Sequence, residues 1–169
     1  TKTDASDLML AMYGRHGEAP LPIVSASTPA DCFFAAIEAA RIALTHRTPV
    51  ILLSDGYLAN SSEPWKIPKV ESLSPIMVDF AEEFNQTNED GEGVFWPYVR
   101  NDLLAREWAL PGTPGLMHRI GGIEKEDGTG NISYDPDNHG HMVDIRQARV
   151  QRVEVPDVEL VGVEDPDLL

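Results

Sequence analysis

Three short stretches of the chain combine residue types that can do chemistry. The first is "GRHGE", residues 14–18, where an arginine and a histidine sit between two glycines and a glutamate follows. Arginine presents a planar fork of N–H donors that grips a carboxylate or phosphate through two parallel hydrogen bonds. Histidine exchanges a proton near neutral pH. Arg15 and His16 are therefore candidates for a loop that lines a ligand site or an interface, and the same pattern also describes a solvated turn. The second stretch is "SDG", residues 54–56. Asp55 closes an apolar run, where an aspartate either accepts backbone N–H groups of the next turn or faces a ligand or a partner subunit. The third is "HGH", in which His139 and His141 lie close to Asp135, Asp137 and Asp144. Those types suit zinc or iron. Helix positions two apart do not share a face, however, so capping and solvation of a helix start is the plainer reading.

The remaining chemistry is bounded by what the sequence lacks. It has no glycine-rich nucleotide fingerprint, no Walker loop and no nucleophile elbow. Its single cysteine, Cys32, has no internal disulfide partner and cannot hold a cluster or a structural zinc alone. Set in "DCFFAAIEAARIAL", it reads as a small buried core residue. A net charge of -15 and a pI near 4.5 argue against a general nucleic-acid or anionic-membrane binder, because neutralising phosphates needs a basic face. The acidic balance points to cytoplasmic solubility. Neither an apolar run of about 18 residues nor a secretory leader is visible.

These residues need elements to position them. Over 1–62 the pattern predicts a dense α/β unit. "DASDLMLAMYG" has helical spacing, with Thr3, Asp4 or Ser6 as N-cap and Gly14 or Gly17 as the stop. "LPIVSAS" reads as a strand. "TPADCFFAAIEAARIALTHR" reads as a helix with Thr28 as N-cap and Pro29 in the first position. Its polar residues Asp31, Glu38 and Thr45 repeat every seven residues with Arg41 beside them, which predicts burial on most of the circumference. "TPVILLSDG" reads as a strand buried on both faces. Strand, helix and strand make a βαβ unit. Two parallel strands cannot cover themselves, so the sheet is expected to be completed elsewhere and the chain to be a piece of a longer protein.

Residues 63–152 are expected to form a proline- and tryptophan-rich arm and connector with a helix. Prolines break long helices across 63–116, and all three tryptophans, Trp65, Trp96 and Trp108, fall there. Such aromatics need a surface to pack on, so the arm is read as irregular but seated. "EDGTG", residues 126–130, suggests a hairpin-like turn, and "DPDNHGHMVDIRQARVQRV" a helix capped by Asp135 with Pro136 first. The acidic tail, 153–169, is expected to lead into a further domain.

Three blocks occur together: "TKTDASDLMLAMYGRHGEAPLPIV", "TPVILLSDGYLANSSEPWKIP" and "PGTPGLMHRIGGIEKEDGTGNISYDPDNHGHMV". In content and order they resemble the α subunit of 2-oxoacid:ferredoxin oxidoreductases, especially the 2-oxoglutarate branch. The resemblance implies the C-terminal half of a pyrimidine-type thiamine diphosphate-binding domain, a doubly wound parallel sheet, plus an irregular connector. It implies oxidative decarboxylation of a 2-oxoacid to acyl-CoA, with electrons passed to ferredoxin. Thiamine diphosphate with Mg and a [4Fe-4S] cluster would be held mainly by the β subunit. The family's "GPSTGLP"-type loop and its cofactor-activating glutamate lie upstream of Thr1, so no catalytic residue is expected here and the piece alone is expected to be inactive. Lys2 aligns with a basic residue that holds the substrate carboxylate in relatives. That residue is often arginine, and lysine offers a point charge instead of a fork. Thr1 or Thr3 would add a hydroxyl donor, and Lys2 with Thr3 is taken as the substrate-binding pair. Arg15 and His16 match a family loop without an assigned step. Asp55 matches a strand end with a structural or interface role, and "HRIGGIEK", Asn138 and His139 match blocks concerned with subunit packing. Two other readings stand beside this one: a transketolase-like thiamine enzyme half, and a non-catalytic assembly module using the arm.

Overall fold

A computed structural model of the chain describes residues 4–157. Helix α1 (Ala5–Tyr13) starts where the Asp4 carboxylate accepts the Ser6 N–H at 2.9 Å. It stops at Gly14, whose N–H donates to the Leu10 carbonyl at 2.8 Å. Any Cβ at position 14 would lie 2.5 Å from that carbonyl oxygen, so the stop requires glycine. Strand β1 (Ile23–Ser25) leads into α2 (Asp31–His46), which returns the chain to β2 (Ile51–Leu53). The two strands pair in parallel, with Ile23 opposite Ile51 and Ser25 opposite Leu53. The expected βαβ unit is therefore present. Helix α3 (Gly56–Asn60) follows directly.

The start of α2 differs from the sequence expectation. The helix begins at Asp31, after a turn over residues 29–30. Thr28 nonetheless caps it, accepting the Asp31 N–H at 3.1 Å, while the Asp31 carboxylate reaches back to the Ser27 N–H at 2.8 Å. This reciprocal arrangement satisfies donors on both sides of the turn. Expected burial also fails. Of α2 only Ala35, Ile42 and His46 are buried, and Phe33 and Phe34 are exposed. In β2 Leu52 is 42% exposed. Hydrophobic periodicity marks a surface that needs covering, and among the described residues Trp65 lies against Phe33 while Phe34 and Leu52 remain exposed.

Beyond α3 the chain is irregular, with short strand pairs and side-chain bonds fastening parts of it. Strand β3 (Phe80–Ala81) pairs in parallel with β6 (Trp108–Ala109), and β4 (Gln86–Thr87) pairs antiparallel with β5 (Gly93–Val94). Asn85 fastens the next turn: its carbonyl oxygen accepts the Trp96 N–H at 2.8 Å and its amide donates to the Trp96 carbonyl at 3.1 Å. Phe95, Ala105 and Leu116 form a small core. Each tryptophan finds a partner. Trp65 meets Phe33 of α2 at 5.5 Å, Trp96 packs against Gly128, and Trp108 lies 4.2 Å from the Arg47 guanidinium.

The predicted hairpin spans residues 124–133, with the Glu126 N–H on the Asn131 carbonyl and the Ser133 N–H on the Glu124 carbonyl. Helix α4 (Pro136–Gln151) begins as expected, with Asp135 accepting the Asp137 N–H at 3.0 Å. Asn138 locks helix to hairpin, donating to the Lys125 carbonyl at 2.8 Å and accepting the Asp127 N–H at 3.0 Å.

Arg47 joins the two regions. It caps α2 in the left-handed conformation at φ 51°, stacks on Trp108 and donates to the Asp79 carbonyl at 2.7 Å. Left-handed backbone costs a non-glycine residue about 1 kcal/mol. Arg47→Ala retains that cost and loses the contacts, so it should destabilise by roughly 1–2 kcal/mol. Arg47→Gly should be milder by about 1 kcal/mol, because it relieves the backbone. Urea unfolding of the protein checks the order.

His46 supplies a pH dependence. Its imidazole is buried, and burial, followed by the charges of Arg41 and Arg149, holds its pKa below the ordinary 6.5. As pH falls through 6.5 the unfolded chain takes up a proton that the folded chain refuses. Stability from this group is thus present above 6.5 and lost as pH falls toward the depressed folded value. His46→Leu should flatten that part of a denaturation series.

Candidate functional site

Parallel pairing sets the carboxyl ends of β1 and β2 side by side, and α1 runs along that edge. Between them opens a cavity of about 750 Å³. Ligands of open parallel sheets gather at this edge. The walls are largely apolar, from Leu8, Leu10, Ala11, Ala26, Ile51 and Leu53. The polar lining comes from Asp4, Asp7, Asp55 and Arg15, with Ser25 and Ser54 at the strand ends.

Arg15 and Asp55, singled out from the sequence, are thus brought to one crevice. Neither is poised as a clamp. Arg15 turns its guanidinium onto backbone: it donates to Ala19 at 2.6 and 3.0 Å, to Met12 at 3.3 Å and to Ala11. The last carbonyls of α1 have no intrahelical donors, and Arg15 satisfies two of them while folding the loop back. The bidentate grip on a ligand is therefore not the role this geometry gives it. Asp55 is the N-cap of α3, accepting the Leu58 N–H at 2.8 Å. That is the structural role among those its position allowed. His16 is exposed and does not line the crevice. Glu18, next in the loop, pairs with Arg146 of α4. Lys2 and Thr3 lie outside the described residues.

The histidines of "HGH" separate, as the helical spacing requires. His139 meets Glu124 at 2.5 Å and His141 meets Asp127 at 3.2 Å, both on the hairpin. No group of three metal-ligating side chains occurs among the described residues. Glu124 also faces Arg146 at 3.5 Å. Burial raises its carboxyl pKa, but the His139 hydrogen bond, the Arg146 charge and the Lys125 N–H together outweigh burial and hold it below the ordinary value. Cys32 is half-buried at the start of α2 instead of in a core, its thiol 3.5 Å from the Thr28 carbonyl.

Sequence reasoning missed a second cavity, of about 380 Å³, between the arm, the hairpin and α4. Arg100, Arg106, Lys125, Arg146 and Arg149 line it. The three-residue spacing of Arg146 and Arg149 on one helix face was the one local signal. The other cations come from distant segments.

The family resemblance raises thiamine diphosphate, and the first crevice can be tested for it. A pyrimidine ring is flat and mostly apolar with a few polar edges, which suits apolar walls carrying scattered carboxylates and hydroxyls. A diphosphate needs cations or converging N–H donors. Here three aspartates line the crevice, and its arginine is bonded to backbone. The crevice fits the ring and not the diphosphate.

A family described as "Pyruvate flavodoxin/ferredoxin oxidoreductase, thiamine diP-bdg" has a model that matches residues 1–132. The chain belongs to this family. Within it, the chain is 53% identical over 167 residues to 2-oxoglutarate oxidoreductase subunit KorA of Mycobacterium tuberculosis, covering 98% of this chain and 24% of that protein. It is 36% identical over 170 residues to 2-oxoglutarate synthase subunit KorA of Methanothermobacter marburgensis, covering 99% and 43%. A solved 2-oxoglutarate:ferredoxin oxidoreductase from Magnetococcus marinus, with 2-oxoglutarate, coenzyme A and succinyl-CoA bound, superposes with a TM-score of 0.78 at 32% identity. That match covers 95% of this chain and 27% of the other. The chain therefore spans between about a quarter and two fifths of the family members it matches. The α/β fold expected from the resemblance is the fold of this family.

The capping role of Asp55 separates charge from geometry. Asp55→Asn retains a good N-cap and should leave stability within a few tenths of a kcal/mol, whereas Asp55→Ala should cost about 1 kcal/mol. Thermal unfolding of the two variants reads the difference.

Proposed function

We propose that the chain is part of the α subunit of a 2-oxoglutarate:ferredoxin oxidoreductase. The observation that carries this reading is 53% identity extending over 98% of the chain to an α-type subunit of that activity. The fold likeness to an enzyme solved with 2-oxoglutarate and coenzyme A supports it. The reaction takes 2-oxoglutarate, coenzyme A and oxidised ferredoxin to succinyl-CoA, carbon dioxide and reduced ferredoxin.

Bound thiamine diphosphate supplies the covalent chemistry and the electron sink for decarboxylation. In this reading the chain's own part is to wall the pyrimidine side of the cofactor with the crevice between α1 and the strand ends. Its acidic lining favours a β subunit as holder of the diphosphate, its Mg and a [4Fe-4S] cluster. The single cysteine agrees, because a cluster needs several thiolates. Lys2 holds the substrate carboxylate as a point charge, and Thr3 adds a hydroxyl donor. The assembly works in the cytoplasm, a reading supported by the strongly acidic composition.

The complete protein, assembled with its β subunit, should reduce ferredoxin in a reaction that requires 2-oxoglutarate, coenzyme A and thiamine diphosphate. Absence of ferredoxin reduction with every 2-oxoacid offered sinks the reading. Lys2→Ala should raise KM for 2-oxoglutarate by roughly 10- to 100-fold, the loss of one hydrogen bond to a charged group. Lys2→Arg should recover most of it, and steady-state kinetics distinguishes the two.

A further inference from the structure

Five of the thirteen Lys and Arg residues of a chain with net charge -15 line one cavity. The concentration is unlike the rest of the molecule. The segments that supply it are far apart in sequence: Arg100 and Arg106 from facing positions in the arm, Lys125 from the hairpin, and Arg146 and Arg149 from α4. The backbone at Gly121 and Gly122 completes the lining without side chains.

Acidic neighbours do not balance these charges. Glu124 lines the cavity but is shared between Arg146 and His139, and Glu18 pairs with Arg146 from outside. Asp127 approaches Arg100 only to 3.9 Å and also meets His141. Two cations are deeply buried. Lys125 is 3% exposed, and its Nζ has no hydrogen-bond partner among the described residues. The Arg100 side chain is 8% exposed, with its Nε likewise unpartnered and one other donor on the Leu104 carbonyl. Arg149 Nε is also buried without a partner. Burial, then the charges of Arg100, Arg106 and Arg146, depress the Arg149 guanidinium to about 10. A buried unpaired charge is among the costliest features a fold can carry. Nothing in the packing explains keeping the unpartnered Lys125 ammonium and the orphaned Nε donors of Arg100 and Arg149 around one space. Tyr98 holds Arg106 and Arg100 over its ring face, with guanidinium carbons at 5.2 and 5.8 Å, which keeps their forks in place.

We propose that this cavity is an oxyanion site that takes a phosphate group from solution, gripped by Arg100, Arg106, Lys125 and Arg149. Planar guanidinium forks match phosphate oxygens pairwise, and the lysine adds a point charge from the floor. Filling the site gives each orphaned donor an acceptor and offsets mutual repulsion. The site lies at the "HRIGGIEK" block and is separate from the crevice at the strand ends.

The test uses the complete protein in phosphate-free buffer at constant ionic strength. Inorganic phosphate should raise its Tm, while chloride and succinate should not. Lys125→Met should raise Tm without phosphate, because it removes an unpaired buried charge, and should abolish the phosphate response. Arg106→Gln, a less buried position, should weaken phosphate binding at least tenfold by calorimetry and keeps the test open if Lys125→Met fails to fold. The proposal is overturned by no phosphate response in the unaltered protein, by an equal response to succinate, or by phosphate binding that Arg106→Gln leaves unchanged. Each readout is independent of 2-oxoacid turnover, so failure here leaves the enzymatic reading standing.

Discussion

Parallel pairing of Ile23–Ser25 with Ile51–Leu53 is the constraint from which the rest of the α/β unit follows. Parallel strands require a crossover, which α2 supplies, and the crossover brings both carboxyl ends to one edge. At that edge the end of α1, the Arg15 loop and the Asp55 cap meet. The same constraint leaves a deficit. A two-stranded parallel sheet has two faces to cover, and here Leu10, Tyr13 and Leu52 stand exposed at 63%, 69% and 42%. An apolar area of this kind marks a surface made for contact. The crevice thus opens beside apolar side chains that nothing among the described residues covers.

Much of this was legible in the sequence because local rules govern it. Asp4 and Gly14 bound α1, Asp135 and Pro136 open α4, and both do so through hydrogen bonds within a turn of the residue named. The onset of α2 lies two residues later than the pattern places it, since Thr28 caps through a turn instead of directly. Burial was misjudged for a different reason. The seven-residue polar stripe of α2 reports which face is apolar, not whether a neighbour lies on it. The pattern around Arg15 allows a ligand loop or a solvated turn, and carbonyls three and four residues away take its donors instead. Proximity along the chain favours such backbone contacts over distant ones.

The cationic cavity shows where sequence reading stops. No window contains more than two of its five charges within a few residues, and only tertiary structure gathers them. Lys125 illustrates the point. In "GGIEKEDG" it looks like an ordinary solvated lysine between two glutamates, yet the bridge from Lys125 to Ile132 turns its side chain inward. Strand alternation sets that direction, and a bridge of one residue pair is too short to announce itself as a strand.

The ties between hairpin and α4 carry one more consequence. The Asn138 bonds to Lys125 and Asp127, and those of His139 and His141 to Glu124 and Asp127, link residues only 11 to 15 positions apart. Closing loops of that length costs little chain entropy, while the Glu18–Arg146 pair must close one of 128 residues. The difference gives the C-terminal hairpin and helix a head start in folding. The hairpin–helix contacts are therefore the entropically cheaper ones to form, and the tie from the loop after α1 to α4 is the dearer.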